Sequence, residues 1–374
     1  MRKVVLKLIL LALLIFSETL SWAQQPSTSP NTFDGVAAQA EQARRANRTE
    51  EAIELYRKAL SLRPQWAEGW FNLGTLLYDR DSYDEAAQAF KGATEINPKV
   101  GTAWVMLGLC EFKLERYDEA LKHIQHGRQL GTSAEPQFRQ VMIYHEGLLL
   151  IGKGEFRGAQ ETLGLMSREG VESDELIVAL GLSVLNIRFS DLLAGDSTLR
   201  ELVRRAGRAE HLSAQKKFDE ALDEYYALAT DFPKAPNVQH AYGRFLLISN
   251  QDEKAIEAFK REIENTPNHL LARLLIADTK LRLRDYAGGL PYAEEAVRLR
   301  PQLPLAHYLL GSLLLDTGQT ARAITELETA RTGLPNEPKI HYALGRAYAR
   351  AGRKAEAEQS RAAFARLNKQ SEEK

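Results

Sequence analysis

The sequence predicts an all-α solenoid in two blocks, and three observations carry that expectation. A 34-residue pattern returns along most of the chain, prolines recur at one place in it, and the composition offers no disulfide or charge excess on which another long fold could rest. At 374 residues the chain is too long for one ordinary core, so it must divide into domains or stack a repeating element. Hydrophobic residues at 44% and charged residues at 26% describe a folded chain. A formal net charge of -1 supplies no field for nucleic acid, so no nucleic-acid partner is expected. Cys110 is the single cysteine, which leaves neither an intramolecular disulfide nor a thiolate metal site, and packed apolar surface has to hold the fold.

The first element, residues 1–23, reads as a secretory signal peptide. Arg2 and Lys3 give a positive start, Leu8 to Phe16 form an apolar run, and Ser21-Trp22-Ala23 supplies small residues where a signal peptidase reads. The alternative is an uncleaved anchor, but Lys7 interrupts the stretch and the rest falls short of the roughly 20 residues of a spanning helix. No integral span is expected after cleavage. Residues 24–32, rich in Gln, Pro, Ser and Thr, read as a flexible leader.

From residue 33 the pattern takes over. With Ala67 to Val100 as template, Trp70, Leu73, Gly74, Leu77, Tyr83, Ala86, Phe90, Ala93 and Pro98 stand at positions 4, 7, 8, 11, 17, 20, 24, 27 and 32. The frame recurs as Ala52, Tyr56 and Pro64 before it, and as Trp104, Gly108 and Ala120 after it. Further on it returns as Phe218, Tyr225 and Pro233; as Gly243, Phe259 and Pro267; as Ala277, Tyr286 and Pro301; as Gly311, Ala323 and Pro335; and as Leu344, Gly345 and Ala357. Small residues at positions 8 and 20 let two helices cross closely, large residues at 4, 7, 11 and 24 fill the space between them, and proline at 32 stops the second helix.

These residues resemble the tetratricopeptide-repeat (TPR) signature. The resemblance implies helix hairpins, helix A followed by helix B, piled into a right-handed superhelix whose concave face is lined by helix A. The domain plan is an N-terminal block over 33–171 of about four repeats, the last degenerate because Gln140 to Val171 keeps only Gly147, Phe156, Ala159 and Leu163. A connecting helix and loop follows over 172–201, where Leu180-Gly181 fits a helix A with no helix B before Asp191. A C-terminal block of about five repeats fills 202–370, its last helix a solubilising cap.

In TPR proteins, positions 2, 5, 9, 12 and 13 face the groove. In the N-terminal block these include Phe71, Tyr78, Val105, Leu109, Phe112, Tyr144, Leu148 and Ile151, an apolar and aromatic set that is either an open groove or covered by the connecting segment. In the C-terminal block they include His240, Arg244, Asp278, Arg282, Tyr308, Asp316, Tyr342, Arg346 and Arg350, a Tyr/Arg set suited to carboxylates or an extended peptide. The chaperone-type carboxylate clamp of the family is not matched, since its Lys and Asn positions hold Ala37 and Glu41, then Phe71 and Thr75.

Motifs that mimic chemistry read as structure. Gly147 to Gly154 approximates a phosphate loop but has Gly154 where Ser or Thr must stand, inside a helix A. His123 and His126 have no third ligand nearby, His307 and His341 stand at the packing position 4, and Cys110 reads as a small buried hydrophobe. Asn47-Arg-Thr49 is a low-specificity glycosylation sequon. No catalytic, metal or cofactor site is expected. The reading is an exported, periplasmic or secreted scaffold that binds a protein or peptide segment, within a possible envelope complex, on the helix-A face. The alternative is a carrier of a small apolar or glycan ligand held between the two blocks.

Overall fold

The structure, a computed structural model, describes residues 31–132 and 135–372. The signal and nearly all of the leader therefore lie outside the described residues. Among those described there are twenty α-helices and no strand. The chain divides into two compact units, Met1–Lys216 and Lys217–Lys374.

In the N-terminal unit, α1 (Phe33–Arg45) pairs with α2 (Thr49–Leu62), α3 (Ala67–Asp79) with α4 (Tyr83–Ile96), α5 (Gly101–Lys113) with α6 (Tyr117–Leu130), and α7 (Pro136–Lys153) with α8 (Phe156–Arg168). The hairpin turns share one device. At Asn47, Asp81, Glu115 and Gly154 the backbone is left-handed, and the next N–H returns to a helix carbonyl: Arg48 N–H donates to Ala43 O at 2.9 Å and Glu155 N–H to Leu150 O at 2.9 Å. Only Gly154 adopts this backbone without steric cost.

The frame's small residues stand where helices touch, with one change of partner. A methyl group on Gly74 would meet the Phe90 ring at 2.9 Å, so the tight neighbour is position 24 rather than Ala86 at position 20. At Gly108 the neighbours are Ile124 at 2.7 Å and the Ala120 carbonyl at 2.9 Å, so there both positions contribute. Leu73, Leu77, Tyr56 and Phe90 are buried between the helices.

The stretch 172–201 departs from a simple connection. Asn186 closes α9 (Asp174–Leu185) with the left-handed turn seen elsewhere, but the six-residue α10 (Phe189–Ala194) follows before α11 (Ser197–Ala214) begins. α9 and α11 then pack as a hairpin. Its contact is the closest among the described glycines: a methyl on Gly181 would lie 1.8 Å from the Val203 carbonyl, and one on Gly207 1.8 Å from the Ile177 carbonyl. The helix B that sequence order placed nowhere is α11, and α10 is an insertion in the turn. The boundary of the compact units accordingly follows α11.

The C-terminal unit opens with α12 (Phe218–Asp231). It continues with four hairpins: α13 (Val238–Ile248) with α14 (Asp252–Asn265), α15 (Leu270–Arg282) with α16 (Tyr286–Leu299), α17 (Pro304–Asp316) with α18 (Thr320–Gly333), and α19 (Pro338–Arg350) with α20 (Lys354–Glu372). Gly243 abuts Phe259 and Gly311 abuts Leu327 and the Ala323 carbonyl, in the same manner as the first unit. α20 buries Ala357, Ser360 and Leu367 and leaves a charged outer face.

Candidate functional site: the helix-A faces

Position 4 explains how one repeat is joined to the next. The indole N–H of Trp70 donates to the carbonyl of Pro64 at 2.8 Å, and that of Trp104 to Pro98 at 2.9 Å. In the C-terminal unit a histidine ring takes the same role, with Nε2 of His307 at 2.8 Å from the Pro301 carbonyl and Nε2 of His341 at 2.7 Å from that of Pro335. Tryptophan and histidine share the position because each carries a ring N–H at a similar reach. His307 also bonds Glu326 through Nδ1 at 2.6 Å, so it is more than a packing residue.

On the helix-A face of the N-terminal unit the apolar set is largely closed. Val105, Leu109 and Ile151 are buried, and Val105 lies against Gly127 of α6. The aromatic rings meet one another: Phe71 stands edge-on to Phe90 at 5.5 Å, Tyr78 to Tyr83 at 5.3 Å, and Phe112 to Tyr117 at 5.7 Å and to His145 at 4.8 Å. Tyr144 touches His145 at 5.8 Å, and burial pushes its phenol up to about 12. Burial raises the Tyr78 phenol as well. Phe71, Phe112, Tyr144 and Leu148 remain half-exposed. The cover is thus supplied from within the hairpins and by the adjacent helix.

His145 is buried beside them, with Nδ1 2.7 Å from the Val141 carbonyl and its ring held down to about 4 by desolvation. His123 and His126 flank the Trp104 ring at 5.3 and 4.8 Å, and His123 bonds Glu111 at 2.7 Å. Cys110 is buried, and burial pushes its thiol up to about 12, far from nucleophile range. The Gly147 to Gly154 stretch forms the end of α7 and its C-cap. A cleft of about 430 Å³ in this unit is lined by Leu60, Trp70, Leu73 and Leu77, with Arg57 and Glu85 paired beside them.

In the C-terminal unit the charged set is mostly satisfied internally. Arg282 grips Asp252 with both nitrogens at 2.8 and 3.0 Å, and Arg346 grips Asp316 at 2.6 and 3.4 Å. Arg350 donates to the Leu315 carbonyl, and Arg244 is likewise not free. These pairs obey a rule that sequence inspection missed: the acid stands thirty residues before the arginine, as Glu50 does before Arg80 in the first unit. An Asp at that interval would have flagged Arg282 and Arg346 as occupied, though not Arg350, which follows Thr320 by thirty residues.

His240 departs furthest from its expected place. It is buried beside His269 at 4.8 Å between ring centroids, and neither ring nitrogen has a hydrogen-bond partner among the described residues. The cause is Glu262, a fully buried carboxylate that accepts from the backbone N–H of Asn237 at 2.9 Å and of His240 at 3.1 Å, capping α13 and drawing its first turn inward. Desolvation takes the His240 imidazole down to about 3.

Tyr308, Tyr342 and Asp278 remain presented to solvent. Tyr342 is 54% exposed, with Arg346 6.0 Å from its ring centre, and Tyr308 is half-buried. Asp278 is exposed and bonds to no cation among the described residues. Among those residues no group of three His, Cys, Asp or Glu side chains is placed to hold a metal, and no helix is long and apolar enough to cross a membrane.

Comparison with known proteins agrees with this geometry. A tetratricopeptide-repeat family model matches residues 207–269, 274–338 and 308–371, and the model for anaphase-promoting complex, cyclosome, subunit 3 matches 45–127. The chain is a tetratricopeptide-repeat protein. Among characterised TPR relatives, anaphase-promoting complex subunit 3 of Schizosaccharomyces pombe is 27% identical over 135 residues. That match takes in 34% of this chain and spans only 20% of the relative's own length. Among solved structures, MamA from Desulfovibrio magneticus RS-1 matches at 21% identity and a TM-score of 0.41 over 46% of this chain and 96% of that one. The APC/C hetero-tetramer Cut9-Hcn1 matches at 13% identity and a TM-score of 0.37, over 90% of this chain and 87% of that one.

Proposed function

We propose that this TPR protein is a non-enzymatic scaffold of the cell envelope that holds a protein or peptide segment on its concave helix-A face. The observation that carries the reading is the presentation of Tyr308 and Tyr342 at the same place in successive repeats of the C-terminal unit, where Tyr308 leans on the core yet stays partly open and Tyr342, beside Phe364, is exposed. Arg282, Arg346 and Arg350, with partners of their own, contribute the frame of the face instead of its contacts. Phe71, Phe112 and Tyr144 in the N-terminal unit offer a second, narrower apolar strip.

The test is site-specific photocrosslinking from Tyr308 and Tyr342 in envelope extracts, with exposed Glu264 on α14 as control position. Crosslinked adducts confined to the two tyrosine positions are expected, and they should disappear when the other tyrosine is changed to Ala. Adducts of equal yield from Glu264 would refute the face. The envelope location rests on the positive start, apolar run and small residues of 1–23. Mass spectrometry of the protein isolated from its host is expected to give a chain beginning at Gln24, whereas one retaining Arg2 and Lys3 would overturn it.

A further inference from the structure

The cleft of about 430 Å³ among α2, α3 and α4 is open at a place where other repeats set a side chain of their own. Its wall is Leu60, Leu73, Leu77 and Ala89, all buried, with the half-buried Trp70 ring, and at its rim the exposed Arg57 and Glu85 are paired. In the repeat frame Trp70 stands at position 4, Leu77 at 11 and Ala89 at 23, with Arg57 at 25 of the repeat before. Position 23 in other repeats puts a larger group against position 4. His123 lies 5.3 Å from Trp104 between ring centroids, and Glu326 bonds His307 at 2.6 Å. Tyr292, at position 23 of the repeat of α15 and α16, packs on the core. Between α18 and α19 a ring comes instead from position 11, where the buried Tyr348 donates its hydroxyl to Glu328, at position 25, at 2.6 Å. Ala89 and Leu77 bring no such group, so the Trp70 ring borders the cleft.

From this equivalence we infer that the cleft takes a tyrosine side chain of a partner protein, at a site separate from the helix-A face. A ring covers the apolar wall and meets the Trp70 indole in a stacked or edge-on contact. The charges at the rim select its hydroxyl. Arg57 and Glu85 neutralise one another, so an ammonium or carboxylate entering the cleft would shed water and find no unpaired counter-charge there. A phenol fits without breaking the pair, because it can donate to a carboxylate that arginine already holds. Tyr56 does so in the first hairpin, donating to Glu41 at 2.9 Å while Arg44 grips the same carboxylate at 2.7 and 2.8 Å.

The test is NMR of the tryptophan indole signals of the purified chain, that of Trp70 identified by its loss in Trp70→Phe, during titration with N-acetyl-tyrosinamide, N-acetyl-phenylalaninamide and N-acetyl-leucinamide. A saturable shift of the Trp70 signal is expected with the tyrosine probe, at a Kd of about 1 mM for a ligand of this size. Binding should be about fivefold weaker with the phenylalanine probe, which lacks the hydroxyl, and weakest with the leucine probe. Ala89→Tyr, which supplies at position 23 the ring that Tyr292 supplies in its own repeat, should abolish the shift. Glu85→Ala changes an exposed residue, so it keeps the fold and should bring the tyrosine and phenylalanine probes level; it decides the matter where the bulkier variant fails to fold. No saturable shift at Trp70, a leucine probe as strong as the tyrosine probe, a tyrosine preference that survives Glu85→Ala, or a shift that persists in folded Ala89→Tyr overturns the site. A shift produced by p-cresol and not by N-acetyl-tyrosinamide, with its flanking amides, would make a small free ring the occupant and overturn the partner side chain.

Discussion

The two units place different residues on one repeat frame and solve the exposed helix-A face in different ways. In the N-terminal unit apolar residues at groove positions are drawn into the hairpins, so that Val105, Leu109 and Ile151 are buried and the rings of Phe71, Tyr78 and Phe112 rest on their neighbours. In the C-terminal unit polar residues at the same positions find partners in the preceding repeat, as Arg282 does in Asp252 and Arg346 in Asp316. Groove position therefore decides where a side chain starts from. Its chemistry decides whether it closes inward, pairs sideways or, as with Tyr342, stays in solvent.

The largest effect that can break this comparison is steric. Gly181→Ala forces a methyl to 1.8 Å from the Val203 carbonyl, which only backbone movement relieves. A loss of roughly 3 kcal/mol or more is expected in urea unfolding followed by circular dichroism. In the last hairpin of the C-terminal unit, Gly345→Ala meets only Arg361 Cγ at 3.3 Å. The side chain can give way, and the helix gains about 0.5 to 1 kcal/mol of intrinsic preference, so stability should hold or rise. Equal losses in the two variants would mean that the hairpins are not packed as described.

Acid sharpens the comparison next. His145 and His240 titrate in the folded chain at about 4 and about 3, below the ordinary histidine value of 6.5. As pH falls below about 6.5 the unfolded chain takes a proton that the folded chain refuses, so each site withdraws up to about 1.4 kcal/mol per pH unit until its folded value is reached. Above that range the contribution is constant. Because the His240 ring has no hydrogen-bond partner among the described residues while His145 holds the Val141 carbonyl, the Leu variants should differ. His240→Leu should flatten the acid slope at no cost near pH 8, and His145→Leu should flatten it at a cost of about 1 kcal/mol. A His240→Leu slope identical to that of the wild type would remove this histidine from the account.

Smaller effects come from the joints and the surface. Trp70→Phe and His341→Phe each keep an aromatic ring and delete the N–H aimed at Pro64 or Pro335, for an expected loss of about 1 kcal/mol in thermal unfolding. If only the tryptophan variant responds, the two rings do not share a role. Arg346→Ala removes a half-exposed pair with Asp316 and should cost less than about 1 kcal/mol, shrinking further in high salt. A loss much above that would make the thirty-residue pairs a principal tie between repeats.

The fold was legible because the repeat is dictated by volumes and breaks that residue types announce directly. Gly74, Gly243 and Gly311 mark close contacts, Phe90 and Phe259 the rings they receive, and Pro98 and Pro335 the helix ends. Less legible were features in which two distant residues must be considered together. Gly207 gains its meaning only across an eleven-residue interruption from Gly181, and Arg346 looks available until Asp316 is placed beside it. His240 could not be placed at all without Glu262, whose buried carboxylate turns the start of α13 inward. The repeat frame puts Tyr308 and Tyr342 at one position, and that the first is half-buried and the second exposed is set by their neighbours.

The ring-to-proline bond has a consequence for how such a chain can change length. In Pro64 and Trp70, Pro98 and Trp104, Pro301 and His307, and Pro335 and His341, the donor follows its acceptor by the same six residues. Adding or deleting one residue in that interval would swing the donor to another side of its helix and sever the bond. The opposite end of a hairpin carries its own left-handed turn, which survives at the end of α9 as Ile187 N–H to Leu182 O, and beyond that turn the chain has taken in α10 while α9 and α11 still meet carbonyl to glycine. Growth by insertion is thereby steered to one edge of the stack, where new sequence can accumulate without disturbing the spacing of everything downstream.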